Sequence, residues 1–377
     1  MASGDHARKR RPSGAWLIVA VGALAVALAA GGFVLAGHLR DTPAASAIGT
    51  APPIDLTVVS VSPSGAGVAA GSPITVQFST DLAPDSPLPT LTPAIPGAWA
   101  VLSPSLLEYQ AAGPLVPGTT ETVTVPGGDG GAVSSEGRHL AQTVTSQFTV
   151  APGSTLRLQQ LLAQLGYLPV TFTPTAPVTS PTQEGNDQPG SFSWRWAGQP
   201  LSLLSLWTPG SGNVITTGAV MDFESQHGLK TDGVAGPAVW ADLLADVQAG
   251  HGDPQSWDYV VVSQSRPETA TVYQNGAAVY SSLVNTGVPG ASTENGTWPV
   301  FDRYRVTTMS GTNPDGSHYS DPGIPWVSYF HGGDALHGFV RPGYGYPQSD
   351  GCVEMPPANA AVVYPLTPLG TLVTVQA

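Results

Sequence analysis

A continuous apolar segment lies near the start of the chain, where residues 12–37 contain no ionisable side chain. A helix needs roughly 20 apolar residues to cross a bilayer, and this segment is long enough. Basic residues at positions 8–11 precede it and should stay on the cytoplasmic side. The pattern predicts a cytoplasmic basic tail at 1–14, a transmembrane anchor at 15–37 and a Pro- and Ala-rich linker at 38–53.

A cleaved signal peptide is the alternative interpretation of this segment. Ala45-Ser46-Ala47 offers the small residues that such a cleavage site requires. The apolar core of a signal peptide usually spans about 7–15 residues, which is shorter than the segment found here. We therefore favour an uncleaved, single-pass anchor in a cell membrane, with the rest of the chain in the periplasm or the cell-wall space.

Residues 54–151 show the two-residue alternation of half-buried strands. Apolar and polar side chains alternate at 74–78, 122–125 and 145–150. Clusters of Gly, Pro and Ser separate these segments, for example at 126–131. The pattern predicts an all-β sandwich. It contains no constellation of catalytic side chains, so we expect it to act as a spacer.

Residues 152–249 show helical spacing instead. Leucines recur on one helix face at Leu158, Leu161, Leu162 and Leu165. Gly166 should end this helix, Gly228 should end a second one, and Pro237 should begin a third, because proline suits a first helical turn. The intervening residues 171–216, which include Trp194, Trp196 and Trp207, are predicted to be an insertion.

Residues 250–377 again carry strand signals. Segments 259–263, 269–273, 277–280 and 370–375 are rich in Val, Thr and Tyr. Asn275-Gly276 joins two of them, and both residue types tolerate the positive φ angles of a tight hairpin turn. The best helix signal lies at 357–364. We predict a mostly-β domain with one or two short helices.

Composition and charge narrow the class of protein. The chain has 377 residues with 45 Gly and 37 Pro, which favours short strands and many turns. Its net charge is −13, which disfavours a nucleic-acid partner. The single cysteine, Cys352, excludes an intramolecular disulfide and a cysteine-rich zinc site.

Cys352 is also the strongest candidate for chemistry. An unpaired thiol in an exported chain is a liability unless it is buried or used. A cysteine nucleophile needs a base, and His337 lies 15 residues upstream. Two strand ends joined by a loop at 339–349 would bring the pair together. From spacing alone, structural roles for both residues stay open, because a lone cysteine is often a small buried hydrophobe.

The arrangement resembles the catalytic domain of L,D-transpeptidases. That family carries a His-Gly strand end, a loop, and then Ser/Thr-His-Gly-Cys followed by an aliphatic residue and often Arg or Asn. The matching residues are His337-Gly338 and Ser349-Asp350-Gly351-Cys352-Val353. Thr286-Gly287, residues 295–300 and the terminal strand also fit, so the resemblance covers residues 258–376. It implies a cysteine-dependent acyltransferase of peptidoglycan.

The preceding segments resemble domains that accompany this family. Residues 54–151 resemble bacterial immunoglobulin-like domains, and residues 152–249 resemble a peptidoglycan-binding helical domain with an insertion at 171–216. We therefore predict a multidomain chain. It has an N-terminal transmembrane helix, an all-β immunoglobulin-like sandwich, a small α-helical peptidoglycan-binding-like domain and a mostly-β L,D-transpeptidase catalytic domain at 250–377.

The resemblance implies a mechanism and its residues. Cys352 would attack the carbonyl between the third residue of a peptidoglycan stem peptide and the terminal D-alanine, with His337 as general base and then acid. Backbone N–H groups around Gly351 would hold the oxyanion, and Ser349 would support the loop. An amine of a second stem would complete a 3→3 cross-link. We expect neither a metal nor a cofactor.

Two residues depart from the family pattern. Asp350 stands where the family has a histidine, and Glu354 stands where it often has Arg or Asn. Two carboxylates beside a thiol should raise its pKa, although Asp350 can instead orient His337. The sequence leaves an active variant and a non-catalytic wall-binding scaffold open, and it does not separate transpeptidase from L,D-carboxypeptidase or protein-attachment enzyme.

Several further residues are predicted to contact substrate. Aromatic and glycine residues near the motif could line a groove for the stem peptide, namely Trp326, Tyr329, Tyr344, Tyr346 and Gly338. Packing within the β domain explains the aromatic residues about equally well. The predicted partners are peptidoglycan stem peptides and the cytoplasmic membrane, with no nucleic acid.

Overall fold

The computed structural model describes residues 55–377. The predicted anchor at 15–37 and its flanking segments lie outside these residues. None of the helices at 55–377 is long and apolar enough to span a membrane.

The first described domain consists of two four-stranded sheets. Its strands are β1 (Val58–Ser62), β2 (Gly65–Val68), β3 (Ile74–Phe78), β4 (Thr90–Thr92), β5 (Gly97–Ser103), β6 (Leu106–Ala111), β7 (Thr120–Val125) and β8 (Val144–Val150). One sheet has the order β1-β3-β6-β5 and the other β2-β8-β7-β4. Inward side chains from both sheets form one core, for example Val76 and Val123, neither of which is exposed. The predicted β-rich region is confirmed, and its immunoglobulin-like character stays a prediction.

Three main helices form the middle region, with local signals at their ends. They are α1 (Thr155–Leu165), α3 (Val214–Gln226) and α4 (Pro237–Ala249). Ser154 Oγ accepts a hydrogen bond from Arg157 N, and Gly166 adopts a φ of 94° after the last turn of α1. Pro237 occupies the first turn of α4. These boundaries agree with the sequence pattern because caps act locally.

The predicted insertion forms a small substructure of its own. It contains β9 (Val170–Pro174), a 3-10 helix (Pro181–Gly185), β10 (Gly190–Trp194) and α2 (Leu201–Leu204). The two strands pair antiparallel, and Trp194 and Trp207 pack against the helical core. Trp196 instead stacks near Trp257, at the start of the next domain. The insertion therefore contacts both the helical region and the last domain.

The last domain contains two sheets and a short helix. Its elements are β11 (Asp258–Ser263), β12 (Thr269–Gln274), β13 (Ala277–Leu283), β14 (Gly296–Pro299), β15 (Asp302–Thr312), β16 (His318–His331), β17 (Asp334–Gly338), β18 (Val353–Met355), α5 (Pro357–Val363), a 3-10 turn (Tyr364–Leu366) and β19 (Leu372–Gln376). The sheet orders are β13-β12-β11-β19-β14 and β15-β16-β17-β18. Asn275 and Gly276 turn the β12–β13 hairpin with φ angles of 49° and 81°, as predicted.

The long β15–β16 hairpin was not predicted from the sequence. Its strands carry many charged and polar residues, and Pro322 and Pro325 interrupt β16. Prolines lack the N–H that pairing between strands requires, so a segment that contains them carries a weak strand signal. The pair tolerates them with a register shift between Thr307 and Met309. This hairpin supplies one wall of the candidate site.

Candidate active site

Two neighbouring strands position the predicted nucleophile and base. Strands β17 and β18 pair in parallel, with His337 opposite Glu354 and Leu336 opposite Val353. Side chains alternate between the two faces of a strand, so Leu336 and Val353 enter the core while His337 and Glu354 share the opposite face. Cys352 directly precedes β18 and lines the same cavity as His337. The strand-end arrangement expected from the spacing is present.

The backbone before Cys352 adopts a conformation that requires glycine. Gly351 has a φ of 112°, which side-chain-bearing residues rarely adopt. A Cβ atom at this position would also overlap Asp334 Oδ1. The carbonyl oxygen of Gly351 accepts a hydrogen bond from Thr293 Oγ1 at 2.7 Å, and both partners are buried. This hydrogen bond holds the peptide group between Gly351 and Cys352 in one orientation. Its N–H is one of those predicted to bind the oxyanion.

Ser349 stabilises the same loop. Its hydroxyl donates to the carbonyl oxygen of Cys352 at 2.5 Å, and its backbone N–H donates to the Thr286 carbonyl at 3.0 Å. The backbone N–H of Val288 donates to the Ser349 carbonyl at 2.8 Å. These contacts make Ser349 a support for the loop.

His337 is buried and its tautomer is set by a backbone contact. The residue is only 3% exposed, and its Nδ1 lies 3.1 Å from the carbonyl oxygen of Gly338. Because a carbonyl only accepts, Nδ1 carries the proton and Nε2 keeps its lone pair. Burial lowers the pKa of His337, partly offset by this hydrogen bond and by Glu354. The imidazole is thus a neutral base.

Asp350 does not orient His337 through a hydrogen bond. It is exposed, and the hydrogen bond of the His337 ring at Nδ1 goes to Gly338 instead. The Gly338 carbonyl therefore makes the contact to the His337 ring that the sequence suggested for Asp350. Asp350 lines the cavity as a free carboxylate.

The Cys352 thiol is partly buried and strongly disfavours ionisation. Its Sγ lies 3.7 Å from the carbonyl oxygen of Gly333. Burial raises the pKa of Cys352 to about 12, and Asp334, Glu354 and Asp350 add to the increase. The sequence pointed to Asp350 and Glu354 as the cause. In the folded chain burial comes first, and Asp334 is the largest of the three charges.

Glu354 forms a bidentate ion pair with Arg341. Arg341 Nε donates to Glu354 Oε2 and Nη2 donates to Oε1, each at 2.7 Å. The Glu354 side chain is 6% exposed. Arg341 also stacks on Phe339, with its guanidinium 4.6 Å from the ring centroid. Spacing along the sequence does not reveal this pairing, because only the folded loop brings Arg341 and Glu354 together.

A cavity of about 510 Å³ opens in front of these residues. The β15–β16 hairpin contributes Met309, Tyr319, Asp321 and Ile324, and its tip contributes Asn313, Pro314 and Asp315. The motif side contributes His337, Phe339, Arg341, Gln348, Asp350, Cys352 and Glu354. Among the residues described, Arg341 is the sole Arg or Lys in this lining, beside four carboxylates. The cavity therefore suits a ligand that carries positive charge.

All five residues predicted to line a groove lie outside this cavity. Trp326 packs against Tyr364 and Arg305. Tyr344 donates from its hydroxyl to the Phe339 carbonyl at 2.6 Å, which braces the loop. Gly338 is packed against Pro357, so it has no face toward the cavity.

Tyr329 and Tyr346 also lie outside the lining of the cavity. Tyr329 packs beneath it among Met309, Ile324 and Cys352, and Tyr346 is an exposed loop residue. Nearness to the motif in the sequence does not bring these aromatic side chains to the cavity, because packing within the domain decides where each one lies. Tyr319 and Phe339 are the aromatic residues that line the cavity.

Sequence reasoning missed four residues of the site. Thr293 holds the Gly351 carbonyl, Tyr319 and Asp321 line the cavity from the hairpin, and Asp334 lies against Gly351. Of these four, Asp334 is the one that lies close to the motif in the sequence, three residues before His337. Within residues 55–377, no group of three or more His, Cys, Asp or Glu side chains is arranged to hold a metal ion.

Comparison with known proteins gives a family match for this domain. Residues 258–375 match the model of the YkuD L,D-transpeptidase catalytic domain. No curated protein matches the chain.

Solved structures similar to this chain include three L,D-transpeptidases. One from Mycobacterium smegmatis is 13% identical, and the match covers 86% of this chain and 100% of that protein's chain, with a TM-score of 0.30. L,D-transpeptidase 3 from Mycobacterium tuberculosis is 14% identical over 85% of this chain and 98% of its own, with a TM-score of 0.30. The catalytic domain of the Enterococcus faecium enzyme is 24% identical over 33% of this chain and 100% of its own, with a TM-score of 0.30. The family match covers residues 258–375, the part of the chain over which the sequence resembles L,D-transpeptidases.

Proposed function

We propose that this protein is a peptidoglycan L,D-transpeptidase that forms 3→3 cross-links through an acyl-enzyme on Cys352. The observation that carries the proposal is the juxtaposition of Cys352 and His337 on one cavity, with a neutral imidazole whose Nε2 is available as a base. The family match of residues 258–375 supports the reaction class.

The residues perform acyl transfer in two halves. His337 Nε2 takes the thiol proton as Sγ attacks the carbonyl of the donor stem, and the backbone N–H groups at Gly351 and Cys352 hold the oxyanion. The imidazolium then protonates the departing amine of D-alanine, which leaves a thioester. An acceptor amine gives its proton to His337 and attacks the thioester, so the amide forms and the thiol is restored.

The charge of the cavity supports an amine-bearing acceptor. Asp315, Asp321 and Asp350 line it, and Arg341 is engaged with Glu354. An ammonium group of a second stem peptide would be attracted to these carboxylates. If water is the acceptor instead, the same acyl-enzyme gives an L,D-carboxypeptidase.

Acylation by a carbapenem tests the nucleophile. Purified residues 38–377 should gain the mass of one carbapenem, and the Cys352→Ala variant should not. Thr145→Ala is the control, because Thr145 is an exposed strand residue outside the site, so this variant should still be acylated. Absence of an adduct on the wild type would favour a non-catalytic scaffold.

The acceptor is then identified with disaccharide-tetrapeptide. A dimer with a new 3→3 bond supports the transpeptidase, whereas tripeptide alone supports the carboxypeptidase. Transfer to a protein amine would indicate an attachment enzyme. Mass spectrometry of the products distinguishes the three.

We further propose that residues 15–37 anchor the protein and that residues 152–249 bind the cell wall. The apolar segment and the basic residues before it support the anchor. Full-length protein should remain with membranes after a high-salt wash, and release would contradict the anchor. Protein 38–377 with Cys352→Ala should sediment with insoluble peptidoglycan, and failure to do so would count against wall binding.

A further inference from the structure

A carboxylate lies beside the candidate nucleophile and needs compensation. Glu354 follows Cys352 by two residues, faces the same cavity and is almost fully buried. An anion at that position opposes formation of a thiolate on Cys352 and favours the imidazolium of His337, its partner in the strand pair. Without a nearby cation, Glu354 would change the equilibrium of proton transfer from the Cys352 thiol to the His337 imidazole.

Arg341 compensates this carboxylate at both oxygens. The two 2.7 Å hydrogen bonds are those of a parallel, bidentate guanidinium–carboxylate pair. Arg341 is itself held by stacking on Phe339 and by a hydrogen bond from Nη2 to the Gln348 carbonyl at 3.3 Å. The cation therefore comes from the loop after β17, 13 residues before Glu354 in the chain.

We propose that Arg341 is a positioning residue that acts through Glu354 and sets the thiolate fraction of Cys352. Arg341 does not act on the reacting atoms directly. It neutralises the Glu354 carboxylate, which would otherwise oppose ionisation of Cys352. The other charged or titratable groups facing Cys352 are Asp334, Asp350, His337, Tyr319 and Tyr329. Asp334 lies 3.7 Å from His331 Nδ1, and none of these neighbours forms a bidentate pair in the described part of the chain. Glu354 is therefore the carboxylate of this set that a guanidinium neutralises at both oxygens.

The proposal predicts effects of opposite sign for the two partners. Arg341→Gln leaves Glu354 uncompensated, so the thiolate fraction should fall. Glu354→Gln leaves Arg341 as a net positive charge, so the fraction should rise. The double variant Arg341→Gln/Glu354→Gln is neutral at both positions and should return to the wild-type value. A pair that only ties the loop to β18 predicts that all three variants react more slowly or equally.

Iodoacetamide alkylation of Cys352 measures the thiolate fraction, from pH 7 to 10. A change of one pKa unit alters that fraction tenfold, and lower nucleophilicity of a more acidic thiol offsets part of it. We expect about a three- to tenfold decrease for Arg341→Gln and a similar increase for Glu354→Gln. Arg305→Gln is the matched control, since Arg305 stacks on Trp326 outside the cavity and its loss changes net charge equally.

Alkylation needs only a nucleophile, so this test is independent of the proposed transpeptidase activity. Equal rates in all variants, or slow rates in both single variants, would overturn the proposal even if the wild type forms cross-links. Circular dichroism melting checks that the variants fold. If Arg341→Gln fails to fold, Arg341→Lys keeps the charge without the bidentate geometry, and its rate should lie within threefold of the wild type.

Discussion

His337 Nδ1 lies 3.1 Å from the carbonyl oxygen of Gly338, the next residue in the chain. This contact fixes the proton on Nδ1 and leaves the lone pair on Nε2, the atom proposed as the base for Cys352. The backbone therefore does what a carboxylate does in many Ser-His-Asp sites. Because the carbonyl belongs to the residue after His337, the tautomer follows from the local conformation of β17.

Burial of His337 predicts the acid limb of the pH profile. Its pKa lies below the usual 6.5, so the imidazole stays neutral to lower pH than a free histidine would. Carbapenem acylation should therefore lose activity on the acid side with a midpoint below 6.5, the pKa of a free histidine. Rates of adduct formation from pH 4 to 9 measure this. A midpoint above 6.5 would show that His337 is not the titrating base.

Gly351→Ala should impair acylation strongly. The new Cβ would overlap Asp334 Oδ1, and the φ of 112° is strained for alanine. Alanine keeps the backbone N–H groups but should move them away from the oxyanion. Loss of one oxyanion donor costs about 100–1000-fold in rate, so we expect acylation to slow at least about 100-fold. Gly137→Ala is the matched control, because Gly137 also has a positive φ of 78° but no atom within 4 Å of the position that a Cβ would take. Wild-type rates in Gly351→Ala would contradict the assignment.

Thr293→Val should weaken both the loop and the site. Valine has nearly the same shape but cannot bond the Gly351 carbonyl at 2.7 Å or the Gly287 N–H at 2.9 Å. Leaving buried polar groups unpaired costs about 1–3 kcal/mol of unfolding free energy. Urea denaturation measures this cost, and acylation should slow in parallel. Thr145→Val, at an exposed strand position, should change stability by less than about 0.5 kcal/mol.

Asp222 predicts a pH-dependent stability of the helical region. Burial raises the pKa of Asp222 to about 7, with Asp253 and Asp258 adding to the increase and Gln226 opposing it. A carboxyl with a raised pKa in the folded state stabilises below its unfolded value near 4, and this contribution is lost as the pH rises through 7.

Asp222→Asn should therefore stabilise the protein at pH 8. Asparagine keeps an acceptor for Gln226 and carries no charge, so the gain should be on the order of 1–2 kcal/mol after solvent screening. At pH 4 the variant and the wild type should melt within about 2 °C of each other. Thermal melts at both pH values measure the difference. A variant that is less stable than the wild type at pH 8 would contradict the burial argument.

Much of the fold was predictable because its signals are local. Gly166 ends α1 and Pro237 begins α4 through steric rules that involve only neighbouring residues. The spacing of His337 and Cys352 likewise predicted two adjacent strand ends. By contrast, the β15–β16 hairpin contains prolines and polar residues that only its pairing partner makes acceptable.

The sequence by itself determined the order of β-rich and helical regions within residues 55–377, the capped helices, the Asn275-Gly276 turn and the candidate nucleophile, since each depends on residue type and short spacing. Tertiary structure alone decided the electrostatics of the site: Arg341 neutralises Glu354, Gly338 orients His337, and Asp334 faces Gly351. The physical reason is that charge and burial act through space. Their effect depends on which distant residues the fold brings within a few ångströms of each other.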